Sequence, residues 1–194
     1  GGGSVRSYDI GDPASPMQSD SIGGPAGLAH CTLKQDALIV TGASVLQIYD
    51  VSDPADLSLC GSLNGITGPV VTSGDHAFIA RGAAGLQVVD VSDCAAPMLV
   101  HTFATAGNAR DLVIDGDHAY VAAQNPDAIE IIDISNPLNL TAVASFPVPD
   151  PGGGCVRIDF ESDTVFALAN DTGLLAIDVS DPGAPRPVSY THLT

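Results

Sequence analysis

The stretch that decides the fold is residues 113–137, which begins Val-Ile-Asp-Gly-Asp-His-Ala-Tyr-Val-Ala and ends, from residue 131, Ile-Ile-Asp-Ile-Ser-Asn-Pro. Gly-Asp between two runs rich in β-branched and aromatic residues is typical of a tight hairpin turn. A third apolar run, residues 129–132, leads into Asp, Asn and Pro, which favour a turn. One more run follows at residues 142–146. The stretch therefore predicts four short strands joined by turns.

The same pattern recurs along the chain. The motif Asp-(Val/Ile)-(Ser/Gly)-(Asp/Asn)-(Pro/Cys) occurs five times at intervals of 40 to 45 residues, beginning at Asp9, Asp50, Asp90, Asp133 and Asp178. Four strands in a period of this length are typical of a β-propeller blade. The almost continuous apolar third strand favours sheets that are covered on both faces. A β-solenoid is the competing architecture, but its coils are normally shorter.

These repeats predict an all-β fold, a β-propeller-like array of four-stranded blades with about four and a half repeats of roughly 40–45 residues. Residues 1–4 are predicted to be a linker or the remnant of a cut, and residues 5–194 a single β-propeller or a fragment of one. The predicted repeats are 5–24, 25–65, 66–106, 107–149 and 150–194, and the first is a half unit. The chain is then a piece of a longer propeller, a small ring with an irregular seam, or an open arc completed by a neighbour.

The charge of the chain bears on its partners. There are 23 acidic and 6 basic residues, a formal net charge of −17, and Lys34 is the only lysine. Binding to nucleic acid or to an anionic membrane needs clustered Lys and Arg, so the sequence disfavours both as partners. No apolar run reaches the length of a membrane span, and no N-terminal stretch has the form of a signal peptide. The acidic surface fits an extracellular and saline setting, although the demand of turns for Asp explains part of it.

These residues resemble the LVIVD repeat family. Its units contain a Gly-(Asp/Asn)-x-Ala-Tyr-Val-Ala hairpin, which residues 116–122 match, and an apolar strand ending in Asp-(Val/Ile)-Ser-(Asp/Asn)-Pro, which residues 131–137 match. The resemblance covers the chain from Val5 onward, with Cys94 in place of the turn proline and Gly11 in place of the turn serine. It implies a bacterial or archaeal secreted or cell-surface propeller within larger surface proteins, with no defined activity.

The repeated acids Asp9, Asp50, Asp90, Asp133 and Asp178 are the first candidate site. Several carboxylates with nearby carbonyl groups can ligate calcium. A carboxylate at the end of a strand more often accepts backbone N–H bonds within its own turn, and a residue that every unit shares favours such a structural role. No EF-hand spacing is present. We therefore predict no cofactor and no metal site, with calcium as the alternative.

The second candidate site is the set of segments that enter the first strand of each unit. By analogy with WD repeats, these segments surround the mouth of the central channel. They carry His30, Arg110, Asp111 and Arg157, a mixed-charge cluster that is the best candidate for ligand binding or catalysis. A structural ion pair with a packed histidine is the alternative. The glycine-rich segment 150–154 either lets the backbone approach a ligand or is a flexible connector.

Four cysteines, Cys31, Cys60, Cys94 and Cys155, permit disulfides in a secreted chain and leave three pairings open. Cys31 and Cys155 lie in the inner regions of the first and fourth full units, which are neighbours only in a ring that closes at four blades. Buried thiols are the alternative at all four positions.

The sequence carries no complete nucleophile or acid–base motif, so we predict that the chain is not an enzyme. The first hypothesis is a non-catalytic extracellular or cell-surface module for protein interaction, adhesion or scaffolding. The alternatives are a self-assembling filament subunit, whose half unit completes a neighbour by strand addition, and a ligand-binding or enzymatic propeller that uses the channel mouth. The expected partners are other surface proteins or copies of the chain itself, without nucleic acid and without membrane insertion.

Overall fold

The computed structural model describes residues 2–149, 154–170 and 173–191. All regular elements within these residues are β-strands, which form one two-stranded sheet and four four-stranded antiparallel sheets. No helix of the described part of the chain has the length and hydropathy that a membrane crossing requires. The predicted fold class, an all-β array of four-stranded units preceded by a half unit, is therefore confirmed.

The strands follow the chain from sheet to sheet. The two-stranded sheet consists of β1 (Ser4–Asp9) and β2 (Met17–Gly23). The next sheet contains β3 (His30–Lys34), β4 (Ala37–Thr41), β5 (Val45–Asp50) and β6 (Ser58–Asn64). It is followed by β7 (Val70–Ser73), β8 (His76–Ala80), β9 (Leu86–Asp90) and β10 (Met98–Phe103). The fourth sheet has β11 (Asn108–Asp115), β12 (His118–Gln124), β13 (Ala128–Asp133) and β14 (Thr141–Pro147). The last has β15 (Cys155–Glu161), β16 (Thr164–Ala169), β17 (Gly173–Asp178) and β18 (Arg186–Thr191).

Two kinds of turn recur in every four-stranded sheet. A two-residue turn joins the first strand to the second, and the motif that begins with the repeated Asp joins the third to the fourth. Gly74 and Gly116 occupy the first position of the two-residue turn with φ of 55° and 52°. Gln35 and Ser162 occupy the same position with φ of 50° and 49°, a conformation that glycine adopts more readily. The turn geometry therefore persists where the glycine is absent.

The chain divides into two compact units. The first comprises residues 1–77 and 90–98, and the second comprises residues 78–89 and 99–194. The sheet β7–β10 contributes strands to both.

In the first unit, β1 and β2 form a half sheet. Because β1 ends in the first repeated Asp and β2 follows that turn, the two strands correspond to the third and fourth strands of a full sheet. The Tyr49 hydroxyl donates to the Gly23 carbonyl at 3.0 Å, and the Leu57 N–H donates to Asp20 Oδ2 at 2.7 Å. The half sheet thus covers Tyr49 of β5 and Leu57, which immediately precedes β6, and both side chains are buried.

The first strand of the half sheet begins at Ser4, within the segment that the sequence assigns to a linker. Gly3 extends the pairing, since its N–H donates to the Pro25 carbonyl and its carbonyl accepts from the Gly24 N–H. Gly1 lies outside the described residues.

In the second unit, one apolar core joins the sheets β11–β14 and β15–β18. Its fully buried members include Ile129, Ile131, Leu175 and Ile177. Each such side chain contributes about 1.5–3 kcal/mol relative to an exposed position. The third strands β9 and β13 are buried on both faces, which explains why their sequences are almost continuously apolar rather than alternating.

Candidate functional site

Each of the five repeated acids forms a hydrogen bond within its own turn. Each carboxylate accepts a hydrogen bond from the backbone N–H two residues later, at 2.8–2.9 Å. The pairs are Asp9 with Gly11, Asp50 with Ser52, Asp90 with Ser92, Asp133 with Ser135 and Asp178 with Ser180. These contacts are those of an Asx-turn, which closes the connection between the third and fourth strands.

The serine in this turn also acts on the charge of the acid. A hydrogen bond from the serine hydroxyl, and to a lesser extent one from its N–H, lowers the pKa of Asp50, Asp90 and Asp133. For Asp178 the hydrogen bond from the N–H lowers the pKa more than that from the hydroxyl. No group of three or more His, Cys, Asp or Glu within the described residues is arranged to hold a metal ion. These carboxylates thus accept hydrogen bonds from the backbone of their own turns.

The lowered pKa values predict how stability responds to acid. Because the folded pKa of these carboxyls lies below the unfolded value of about 4, their contribution is present above pH 4 and is lost as the pH falls through the folded pKa. We expect the denaturant midpoint to fall as the pH is lowered below about 4. A variant with Asn at Asp50, Asp90, Asp133 and Asp178 keeps the acceptor but should lose this part of the acid response, as chemical denaturation at a series of pH values would show.

A control separates this effect from the general charge of the chain. Asp56 is exposed, and its carboxylate accepts no hydrogen bond from any residue that the structure describes. Asp56→Asn should leave the shape of the pH profile unchanged, whereas Asp133→Asn alone should remove about a quarter of the effect. An unchanged acid response in the fourfold variant would contradict this account.

The structure brings together two of the four residues in the predicted channel-mouth cluster. Arg157 Nη1 lies 3.8 Å from Asp111 Oδ2, and the same oxygen accepts from the Ile158 N–H at 3.2 Å. Arg110 has a different partner, because its Nε donates a hydrogen bond to Gln124 Oε1 at 2.8 Å. Asp111 and Arg110 thus connect strands within the second unit.

His30 is the remaining residue of this prediction. It is the first residue of β3 in the first compact unit and is half-buried. His76 and His118 begin β8 and β12, next to the two-residue turns. Of the glycine-rich segment, residues 150–153 lie outside the described part of the chain. Gly154 has φ of 72°, and a Cβ there would lie 2.6 Å from Gln124 Cγ, so a larger residue would displace that side chain.

Of the three pairings open to the cysteines, the structure contains the one with a Cys60–Cys94 disulfide, and Cys31 and Cys155 carry thiols. A Cys31–Cys155 bond is therefore absent. The Cα atoms of Cys60 and Cys94 are 5.7 Å apart, within the usual range for a disulfide. Gly61 permits this approach, because a Cβ at that position would overlap the Cys94 carbonyl oxygen. The buried Cys155 thiol donates to the Arg157 carbonyl at 3.7 Å.

Glu130 is a buried acid that the sequence reasoning missed. It is 8% exposed, and its Oε1 accepts from the N–H groups of Ala106 and Gly107 at 2.8 and 3.4 Å. Burial raises the pKa of this carboxyl, and the two N–H donors partly oppose the shift. A signal was present, since Gln47, Gln87 and Glu130 all stand three residues before a repeated Asp and interrupt an apolar strand. Polar side chains at one fixed position of buried strands indicate that this position has the same structural role in each repeat.

Every sheet exposes a large apolar side chain within the first three residues of its last strand. These residues are Met17, Leu59, Met98, Val143 and Val188, with exposures of 37% to 69%. Isolated apolar residues are normal on a protein surface. These five stand at the first, second or third position of their strands, but each of the five sheets has one near the start of its last strand. The last strand is also an edge strand in every sheet, so its outer backbone groups are available for pairing.

The first unit also contains an apolar groove of about 270 Å³. It lies between β1 and the first two strands of the next sheet, and its walls include Val5, Leu28, Cys31, Leu38 and Val40. We refer to it as the β1–β4 groove.

Solved structures resemble the whole described fold at low sequence identity. BamB from Moraxella catarrhalis matches with a TM-score of 0.71 and 14% identity, over 99% of this chain and 56% of that chain. A periplasmic gluconolactonase of Pseudomonas aeruginosa matches with a TM-score of 0.80 and 17% identity, over 98% and 64%. A functionally unknown protein from Desulfotomaculum acetoxidans matches with a TM-score of 0.77 and 13% identity, over 98% and 62%.

The chain thus spans 56% to 64% of the length of these proteins. At such identities the likeness shows the fold alone, which is β-propeller-like. None of the curated proteins compared with the chain matches it.

The sequence pattern of LVIVD repeats matches residues 37–65, 64–105, 106–147 and 168–190, which together make up more than half of the chain. Each matched segment includes one of the turns that begin with Asp50, Asp90, Asp133 or Asp178. The chain belongs to the LVIVD repeat family.

Proposed function

We propose that this chain is a non-catalytic protein-interaction module that acts outside the cytosol, at a prokaryotic cell surface. The observation that carries the proposal is the apolar side chain exposed at the start of each last strand, at Met17, Leu59, Met98, Val143 and Val188. Apolar residues next to an open sheet edge suit a partner that adds a strand or packs against the edge. The partner is another surface protein or a second copy of the chain, in an adhesive or scaffolding assembly.

Two features support the location. The Cys60–Cys94 disulfide is a type of bond that persists in oxidising compartments and is rare in the cytosol. The formal net charge of −17 keeps the chain soluble and discourages nonspecific association. Both features are those of a secreted or surface-exposed protein.

The contacts of the charged residues support an interaction role over catalysis. Asp111 accepts a backbone N–H from β15 and pairs with Arg157, and Arg110 is bonded to Gln124. These side chains hold the strands β11, β12 and β15 together. A general acid or base must instead reach a substrate.

Site-specific photo-crosslinking on intact cells tests the proposal. A photoreactive amino acid at Leu59 or Val143, on two of the last strands, should give a discrete crosslinked product with one protein, identified by mass spectrometry. The same group at Glu161, an exposed residue at the end of β15, provides the matched control. We expect products at the two apolar positions that the control position lacks.

Equal labelling at all three positions, or no product at any of them, would overturn the interaction role of the last strands. A product with the chain itself would identify a second copy as the partner. Fractionation of the same cells tests the location independently, because recovery of the chain in the cytosolic fraction with reduced Cys60 and Cys94 would contradict it.

A further inference from the structure

One of the turns between a third and a fourth strand ends in a pattern that none of the other residues in the site uses. The turn that begins with Asp133 ends Asn139-Leu140-Thr141, and Thr141 is the first residue of β14. Asn-x-Thr with a middle residue other than proline is the pattern at which saccharides are attached to the side-chain nitrogen of asparagine. A pattern of three residues also arises by chance, so the surroundings of Asn139 decide whether it can act as an acceptor.

The equivalent turns of the other repeats do not contain the pattern. Its middle position lies seven residues after the repeated Asp and is occupied by Pro16, Leu57, Pro97, Leu140 and Pro185. Proline at this position is incompatible with the pattern, and Leu57 is preceded by Asp56 rather than by asparagine. Of the five equivalent turns, the one before β14 therefore combines asparagine, a residue other than proline and threonine.

The three residues of the pattern alternate in burial. Leu140 is 6% exposed, whereas Asn139 and Thr141 are both exposed to solvent. Residues two places apart in an extended segment lie on the same side of it. The Asn139 amide and the Thr141 hydroxyl are thus accessible together, while the Leu140 side chain anchors the segment to the protein. An enzyme that recognises the pattern needs access to both the amide and the hydroxyl.

The hydrogen bonds of the turn leave the Asn139 amide available. Asn136 Oδ1 accepts the Leu138 N–H at 3.2 Å, and the Asn139 N–H donates to the Asn136 carbonyl at 2.9 Å. These contacts close the turn without the Asn139 side chain, which makes no hydrogen bond to any residue that the structure describes. A substituent on the Asn139 side-chain nitrogen therefore breaks no hydrogen bond of the described fold.

We propose that Asn139 is a modification site, at which a transferase attaches a saccharide from a lipid-phosphate-linked donor on the outer side of the cell membrane. The side-chain nitrogen of Asn139 forms a bond to the anomeric carbon of the sugar, and the bond between that carbon and the phosphate oxygen of the donor breaks. The lipid phosphate leaves with the bonding electrons, and the amide releases one proton.

This site rests on the location outside the cytosol that is part of the proposed function, but it does not involve the exposed apolar residues of the last strands. The same pattern occurs once more at residues 170–172. Residues 171 and 172 lie outside the described part of the chain, and the proposal concerns Asn139 alone.

Mass spectrometry of the full chain, isolated from its source cells, tests the site. Trypsin cuts after Arg110 and Arg157, so the peptide of residues 111–157 contains Asn139 and no second copy of the pattern. We expect this peptide to carry a saccharide, with fragment ions that locate it at Asn139. An unmodified peptide from chain recovered at the cell surface would overturn the site and leave the proposed function standing. Chain recovered only in the cytosol, with Asn139 unmodified, would overturn both.

Two substitutions of one exposed residue make the test specific. Thr141→Ala removes the hydroxyl that the pattern requires and should abolish the saccharide, although Asn139 itself is unchanged. Thr141→Ser keeps a hydroxyl and should retain the saccharide, and equal denaturant midpoints of the two variants would show that both fold. A saccharide that persists in Thr141→Ala, or one that is found at Asn170 alone, would overturn the proposal. Crosslinking at Leu59, on a strand without the pattern, tests the interaction role separately.

Discussion

Loss of the Cys60–Cys94 disulfide is expected to lower the free energy of unfolding by about 4 kcal/mol. The two cysteines are separated by 34 positions in the sequence. Joining them restricts the unfolded chain, and the loss of loop-closure entropy for a loop of this length has that magnitude. The bond ties β6 to the turn that follows β9, where Cys94 stands in place of the turn proline.

The measurement is denaturant unfolding with and without reductant, for the wild-type chain and for Cys60→Ala/Cys94→Ala. Reductant should shift the wild-type midpoint to that of the double variant and should leave the double variant unchanged. Cys31→Ala is the matched control, since that thiol is exposed and makes no disulfide. If the double variant unfolded within about 1 kcal/mol of the wild type, the loop-closure account would be wrong.

Much of the fold follows from the sequence because the same physical constraint acts in every repeat. A strand that is buried on both faces is continuously apolar, and a turn that must close within five residues uses Asp, Ser and Pro. The motifs at Asp50, Asp90, Asp133 and Asp178 therefore locate the third and fourth strands of each sheet. The half sheet that ends at Asp9 is located in the same way.

The parts that could not be predicted depend on contacts between segments that are distant in the sequence. The cysteine pairing required the approach of Gly61 to the backbone of Cys94, which neither local sequence reveals. The partner of Arg110 depends on the position of Gln124 one strand away, across a β-bulge. The exposure of Cys31 could not be predicted either, because its sequence context resembles that of the buried residues Leu112 and Ile158 at the same position of other repeats.

Substitution of Glu130 is expected to produce two opposite results, depending on the replacement. Glu130→Ala removes the acceptor of the Ala106 and Gly107 N–H groups. The Gly107 N–H is then left without its acceptor in a buried place, while the exposed Ala106 N–H can bind water, so the substitution should cost about 1–3 kcal/mol of stability. Glu130→Gln keeps an acceptor oxygen and removes the desolvated charge, so stability at pH 7 should be equal to or higher than that of the wild type.

The pH dependence separates this explanation from simple packing. Burial raises the pKa of Glu130 in the folded state above its unfolded value, so protonation favours folding. Its contribution is fully present below the unfolded pKa and is lost as the pH rises through the folded pKa. The stability of the wild type relative to Glu130→Gln should therefore increase as the pH is lowered from 7 toward 4.

Chemical denaturation across this pH range, with Glu161→Gln as the exposed control, checks both results. A stability difference between wild type and Glu130→Gln that is independent of pH would show that the carboxyl titrates alike in the folded and unfolded states. A Glu130→Ala variant as stable as Glu130→Gln would show that the N–H groups of Ala106 and Gly107 do not depend on this acceptor. Because Gln47 and Gln87 occupy the equivalent strand position, glutamine is the replacement that the repeat itself already accommodates.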